Sequence, residues 1–520
     1  MKLRLKLKMK SYIKPFEKKL ALMELSHLAN IDETELSDSN IYEIEIDEKR
    51  IEKDLIRKLA YWECVGKNLE NITEQAAMES TYECAGDYSQ LCIWGKETHE
   101  LQNTRILRYG VHDIHEYKGK FFPQLVRACI NIAGIEDGSL VFDPFCGSGT
   151  TLCEGMVRGM RTAGIDLNPL SILISKVKTG ILNVDGNDII SEYKRISANL
   201  QIYKKEQISR WNVNDLKYLS NWFAGDALED INCILSEAES VQNEIIRNFF
   251  KVNLSNILRE ISWQKESDLR VRKDIKEYKK GDAQRKFCAE VNRQLNRIIP
   301  YLSVVKRINC GTSHVIEGNT RYVLDETLKE ECDVIITSPP YATALPYLDT
   351  DRLSIIVLGL MHRSDFSDKN LNMIGNREVT EKQRKELWSL YQQRRGELTQ
   401  EICVIIDKIA ESNHKDGVGF RRRNLPALLA KYFLDMLDSM NTANELLKSG
   451  AKAFYVVGNN STKIDDETYI IETNKLLWNL AEKVGWKKVR YIDMEMLEGT
   501  AGYRNNPGTA EAILIFEKQR

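Results

Sequence analysis

Two short strings in this 520-residue chain combine residue types that could do chemistry. The first is Asp143-Pro144-Phe145-Cys146-Gly147-Ser148-Gly149-Thr150-Thr151, directly after the apolar run Leu140-Val141-Phe142. Its glycines let the backbone turn tightly and approach a ligand closely, at a helix N-terminus that favours polar or anionic groups. No GK[ST] follows, so it is not a Walker-type phosphate loop. The second string is Thr337-Ser338-Pro339-Pro340-Tyr341, directly after Val334-Ile335-Ile336. Two prolines fix the backbone, stop the strand and leave carbonyls without neighbouring donors. The serine oxygen and a proline carbonyl can then accept both hydrogens of one amino group. A conjugated amine is planar and a poor nucleophile. Held on two acceptors it is biased toward the tetrahedral geometry that exposes its lone pair, and Tyr341 offers a face on which a base could stack.

The elements around these strings should bring them together. Thr162-Ala163-Gly164-Ile165 reads as a second strand ending at Asp166, where dinucleotide folds place an acidic residue for ribose hydroxyls. Asn168 and Pro169 then cap and start a helix carrying Leu170, Leu173, Ile174 and Val177 on one stripe. The rhythm strand, turn, helix, strand, helix reads as a parallel α/β sheet. It resumes at His314-Val315-Ile316 and Asp333 to Thr337, and again at Ala453 to Val457, Lys488 to Ile492 and Ala512 to Phe516. Asp143, Asp166 and Ser338 each follow a β run at once, so all three fall on the carboxyl edge of one sheet, where such sheets bind ligands.

DPFCGSGTT followed by TSPPY resembles the amino-methyltransferases that modify DNA at cytosine N4 or adenine N6, and the serine form of the second motif is most similar to the cytosine-N4 branch. The resemblance covers roughly residues 105–182, 312–350 and 445–520. It implies a Rossmann-like fold with S-adenosyl-L-methionine as methyl donor, an already activated sulfonium that makes a covalent enzyme intermediate unnecessary. It also implies that Asp143, Phe145, Cys146, Gly147 and Gly149 cradle the donor's methionine part, that Asp166 binds its ribose, and that Ser338, Pro339, Pro340 and Tyr341 hold the target base. His115-Glu116-Tyr117-Lys118-Gly119-Lys120-Phe121-Phe122-Pro123 is similar to the HxYxxKFxP segment that precedes the donor site in many relatives. One departure concerns the donor's adenine: relatives often carry Gly-Asp after the third strand, and this chain has Gly318-Asn319.

Composition bounds the rest. The formal net charge is −2, so any nucleic-acid surface must be local. Eleven cysteines are scattered without CxxC pairs or zinc spacing, which suits a reducing cytoplasm and no bound metal. No Pro-Cys dipeptide occurs, against carbon-5 cytosine methylation through a covalent cysteine. MKLRLKLKMK lacks the apolar core of a signal peptide and no run reaches transmembrane length, so a soluble protein without a membrane partner is expected. That opening stretch is expected as an edge strand or mobile arm.

The organisation expected is therefore a mostly helical accessory region over 1–100, the donor part of the catalytic domain over 101–183, and a helical insertion over 184–307. The base-binding part follows over 308–350, a second helical block over 351–446, and the rest of the sheet over 447–520, ending in an antiparallel hairpin. Either helical block is a candidate for target recognition or DNA contact. Arg270-Val271-Arg272-Lys273, with Lys276, Lys279, Lys280, Arg285 and Lys286, could track phosphates or form a solvated salt-bridged face. Arg421-Arg422-Arg423, after Asp416-Gly417-Val418-Gly419, is the better loop for backbone contact. Trp211, Trp222 and Trp263 read as core. The function these features favour is cytosine-N4 methylation of a base flipped out of double-stranded DNA, in restriction-modification beside a cognate endonuclease. The alternatives are an adenine-N6 enzyme, a tRNA guanine-N2 methyltransferase, and a non-catalytic DNA-binding subunit.

Overall fold

The computed structural model describes residues 2–31, 40–82, 106–117, 121–202, 210–265, 273–306, 309–322, 325–342, 347–414, 418–464, 467–494 and 511–519. Alternation of leucine with lysine or arginine makes the N-terminal stretch a strand, β1 (Lys2–Met9), with Leu5, Leu7 and Met9 buried. It is neither an edge nor an arm. It lies inside an antiparallel sheet of order β2-β1-β3-β4, between β2 (Ile41–Asp47) and β3 (Trp62–Gly66), with β4 (Asn71–Ile72) outermost. The N-terminal region thus combines this sheet, which its sequence did not announce, with the helices Pro15–Ala29 and Glu74–Ser80. β2 alternates as β1 does, so each strand supplies one apolar and one charged face.

The second sheet has seven strands: β5 (Leu140–Asp143), β6 (Arg161–Asp166), β7 (Ser313–Glu317), β8 (Cys332–Thr337), β9 (Leu447–Gly458), β12 (Trp486–Met494) and β13 (Glu511–Lys518). A small hairpin, β10 (Asn460–Ile464) with β11 (Glu467–Ile471), leaves it just after β9. The order is β12-β13-β9-β8-β5-β6-β7, with β5, β6, β7, β8 and β9 parallel and β13 antiparallel to both its neighbours. This is the Rossmann-like α/β architecture expected, including the C-terminal antiparallel pair.

Both faces of the sheet are covered, so its strands are apolar on both sides. Val141, Val334, Ile336, Phe454 and Ile513 pack toward the N-terminal module and the helix Pro123–Ala133. Their strand neighbours Phe142, Ile335, Tyr455 and Leu514 face the helices Gln400–Asn413 and Phe420–Leu446. The module is also locked in by a buried polar cluster. Arg127, fully buried on Pro123–Ala133, donates to Glu154 at 3.1 Å and faces Glu74 at 3.5 Å, while Lys10 reaches Glu79 at 2.7 Å.

Between β6 and β7 the described residues form five helices, from Gly186–Leu200 to Asp282–Val305, packed on the helix Pro169–Ile181. Trp211 is buried there and donates its indole N–H to Val357 O at 3.1 Å, and Trp222 packs against the same core. In the basic run, Arg270, Val271 and Arg272 lie outside the described residues. Lys280 pairs with Glu229, Lys286 with Glu260 and Arg285 with Asp282, the pattern of a solvated face. No described helix is long and apolar enough to cross a membrane.

Candidate functional site

The carboxyl ends of β5, β6 and β8 open into a cavity of about 320 Å³, within the ~300–1,000 Å³ range of small-molecule sites. β5 delivers Asp143 to its floor. The side chain is buried, and its Oδ1 accepts from Thr337 Oγ1 at 2.6 Å and from Phe145 N at 3.0 Å. The first residue of one motif is therefore bonded to the first residue of the other. Thr151 Oγ1 adds a second tie, donating to Ile336 O at 3.2 Å. Burial raises the Asp143 carboxyl to about 6, against the pull of the bonds from Thr337 and Phe145.

The turn after Asp143 needs glycine at two places. Gly147 has φ +49° and Gly149 φ +77°, in the left-handed region that costs other residues about 1–2 kcal/mol. A Cβ on Gly149 would sit 2.8 Å from Ser175 Oγ and 3.1 Å from Ser175 Cα, so the turn lies directly on the helix Pro169–Ile181. Ser175 Oγ donates to Gly147 O at 2.7 Å and fixes that contact. Asn168 caps this helix as its sequence suggests, accepting from Leu170 N at 3.0 Å. Asp166 closes the arrangement: its Oδ2 accepts from Gly147 N at 2.9 Å and its Oδ1 from Asn168 N at 2.8 Å. Each oxygen keeps a lone pair for a further donor. Burial raises this carboxyl too, to about 6, with Asp143 and Asp351 adding to the effect.

At the far end, Ser338 Oγ donates to Val456 O on β9 at 3.1 Å. Its one hydrogen is committed to the protein, so Ser338 can meet a cavity ligand only as an acceptor. Tyr341 packs its ring over Gly458, where a Cβ would come within 2.5 Å of Cε2, and its hydroxyl lies 2.7 Å from Glu511 Oε1 at the start of β13. Burial pushes the Glu511 carboxyl up, while Tyr341 and Lys14 pull it down.

Of the residues singled out from the sequence, Phe145, Gly147, Asp166, Asn319 and Ser338 to Tyr341 line the one cavity. Asp143, Cys146 and Gly149 lie beneath it. Cys146 packs its Cβ against Gly164 of β6, and its thiol is raised well above the usual range by burial. Asn319 commits its Oδ1 to Arg321, at 3.2 Å from N and 3.1 Å from Nε. What it can then offer a ligand is its amide donor, where an aspartate would offer an acceptor. From the upstream segment, Tyr117, Phe121 and Phe122 line the cavity, and Lys118, Gly119 and Lys120 lie outside the described residues. Sequence reasoning missed Lys14, Met373 and Glu511. Only Glu511 carried a signal, as a carboxylate directly before the apolar run Ala512 to Phe516.

The cavity fits an extended nucleoside donor. A half-buried carboxylate with spare lone pairs stands at one end, aromatic walls follow, and a glycine turn permits close backbone approach. Comparison with known proteins agrees. A family model described as UPF0020, an RMKL-like methyltransferase domain, matches residues 114–231. The chain is 24% identical over 367 residues to the Type II methyltransferase M.MvaI of Kocuria varians, covering 68% of this chain and 78% of that protein. It is 22% identical over 478 residues to the Type II methyltransferase M.BsoBI of Geobacillus stearothermophilus, covering 81% and 89%. A tRNA (guanine(10)-N2)-dimethyltransferase of Methanothermobacter thermautotrophicus is 38% identical, over 52 residues that cover 10% of this chain and 16% of that protein. Fold, motifs and relatives agree that this chain is a Rossmann-like methyltransferase whose methyl donor is S-adenosyl-L-methionine, and that it resembles the DNA methyltransferases.

Proposed function

We propose that the protein is a site-specific DNA methyltransferase of a restriction-modification system, acting on the exocyclic N4 amine of a cytosine flipped out of the duplex. The observation that carries this reading is the commitment of the Ser338 hydrogen to Val456 O, in the cavity that also holds Asp166. A target amine brings two hydrogens, and the site meets them with acceptors: Ser338 Oγ and a carbonyl of the Pro339-Pro340 pair, which has no N–H to donate. Tyr341 presents the stacking face. Bound S-adenosyl-L-methionine supplies a methyl group on sulfonium. Ser338 Oγ and the prolyl carbonyl would hold the amine in the geometry that exposes its lone pair to that methyl group.

The donor end is assigned with the same chemistry. Asp166 accepts the ribose hydroxyls, Asn319 donates to a ring nitrogen of the adenine, and the turn through Phe145 and Gly147 holds the methionine part. Asp143, Cys146 and Gly149 shape that turn from below. Relatives along most of the chain are Type II methyltransferases, which supports the restriction-modification setting, with a cognate endonuclease as partner. The serine at 338 favours cytosine over adenine.

Transfer of labelled methyl groups to mixed-sequence duplex DNA and to total tRNA tests the reading, followed by nucleoside digestion and mass spectrometry. N4-methylcytosine in DNA is the expected product. N6-methyladenine would overturn the base, and label in tRNA alone would overturn the substrate.

A further inference from the structure

Two separate arms lead outward from the base end of the cavity and meet at one basic turn. The first begins at Ala342, next to Tyr341, whose carbonyl accepts from Asn460 Nδ2 at 2.5 Å. Asn460 opens the hairpin β10–β11, and three residues along β10, about 10 Å at strand rise, Lys463 stands exposed near its tip. There Arg422 donates to Lys463 O at 3.3 Å. The second arm runs from Met373 and Ile374 in the cavity wall past Gly375, where a Cβ would lie 2.9 Å from Tyr341 O. It ends where Asn424 Nδ2 donates to Val379 O at 2.9 Å and Arg421 pairs with Glu378 at 2.9 Å.

Both arms reach the first turn of the helix Phe420–Leu446, where a loop was expected, and Phe420 to Arg423 carry three consecutive arginines and an exposed aromatic ring, Phe420, at 53% accessibility. Arg421 and Glu378 are both more than half exposed, so their pairing is weak and readily exchanged for a stronger anion. Among the described residues of the other basic run, Lys280 and Lys286 are matched to Glu229 and Glu260, on the helical insertion.

We propose that Arg421, Arg423 and Lys463 form the surface that grips the phosphate backbone of duplex DNA beside the extruded base. This rests on the DNA reading above. The rise of about 10 Å along β10 from Asn460 to Lys463 corresponds to about three nucleotide steps at 3.4 Å each, which suits Lys463 to the backbone flanking a base seated against Tyr341. Phosphate contacts set register and carry most of the salt-dependent affinity, and here they come from the block after the second motif and from the hairpin.

The test compares the full-length wild type with Arg421→Ala/Arg423→Ala/Lys463→Ala and with Lys280→Ala/Lys286→Ala. Donor affinity is measured by calorimetry, duplex affinity across a salt series, and methyl transfer at saturating DNA. The triple variant is expected to bind donor like the wild type and duplex about 10–100-fold more weakly. Its slope of log K against log salt should be shallower by about 2–3, with kcat within about threefold. The double variant should change neither affinity nor slope. Unchanged duplex affinity and slope in the triple variant would overturn the proposal while leaving the DNA reading intact. A wild type that neither binds nor methylates duplex DNA would overturn both.

Discussion

Replacing Asp143 tests the bond between the two motifs. Its Oδ1 accepts from Thr337 Oγ1 and Phe145 N in a site closed to water, and bonds to a charged acceptor contribute about 1.5–3 kcal/mol each. Burial acts in the opposite direction, moving the carboxyl from 3.8 to about 6, which corresponds to about 3 kcal/mol against the charged form. Asparagine keeps an acceptor for both donors and removes the titration. Because the folded-state value lies above the unfolded one, the stability this proton confers is fully present below about pH 4 and is lost as pH rises through about 6. Between pH 5 and pH 8, wild type should therefore lose about 1–2 kcal/mol relative to Asp143→Asn. Asp143→Ala leaves Thr337 and Phe145 without their acceptor and should cost about 2–4 kcal/mol, with donor affinity and turnover falling together. Urea unfolding of the three proteins at both pH values measures this. A gap between wild type and Asp143→Asn that does not move with pH would refute the electrostatic argument. An alanine variant as stable and as active as wild type would refute the tie itself.

Gly149→Ala should lower stability by about 2–3 kcal/mol, combining left-handed strain with displacement of Ser175, and thermal unfolding with and without donor will show it. Asp166→Ala should weaken donor binding at least tenfold in calorimetry while duplex affinity stays within about threefold, since its partners are Gly147 N and Asn168 N. Tyr341→Phe keeps the ring over Gly458 and loses the bond to Glu511, so kcat/KM should fall less than tenfold. Tyr341→Ala should cost about 10–100-fold, the range of base–aromatic stacking.

The glycine turn after Asp143 and the Thr337 to Tyr341 string were legible because each is a string of unusual residues directly after an apolar run. Strand ends are where a parallel sheet places ligands, so the sequence assigns Asp143, Asp166 and Ser338 to one edge. The seven strands of that sheet were legible for the same reason. The N-terminal sheet was not, although β1 and β2 alternate clearly, because its charges suggested a solvated arm and neither strand shows which neighbour covers its apolar face. The hairpin β10–β11 escaped notice since Asn460–Ile464 and Glu467–Ile471 are mostly polar and short. Lys14 reaches the cavity through tertiary packing alone, from the opposite end of the chain to Glu511. The change from aspartate to asparagine at 319 was visible, but its consequence was not. Only the structure shows Arg321 occupying the amide oxygen.

The central claim is that one cavity holds the donor against Asp166 and the target amine against Ser338. Single-turnover methyl transfer by Ser338→Ala, with donor affinity measured on the same preparation, tests it most directly. The account predicts a fall in rate of about 100-fold or more, from losing one of two acceptors aimed at the amine, with the donor dissociation constant within about threefold of wild type. An unchanged rate, or a loss of donor binding that accounts for the whole defect, would contradict it.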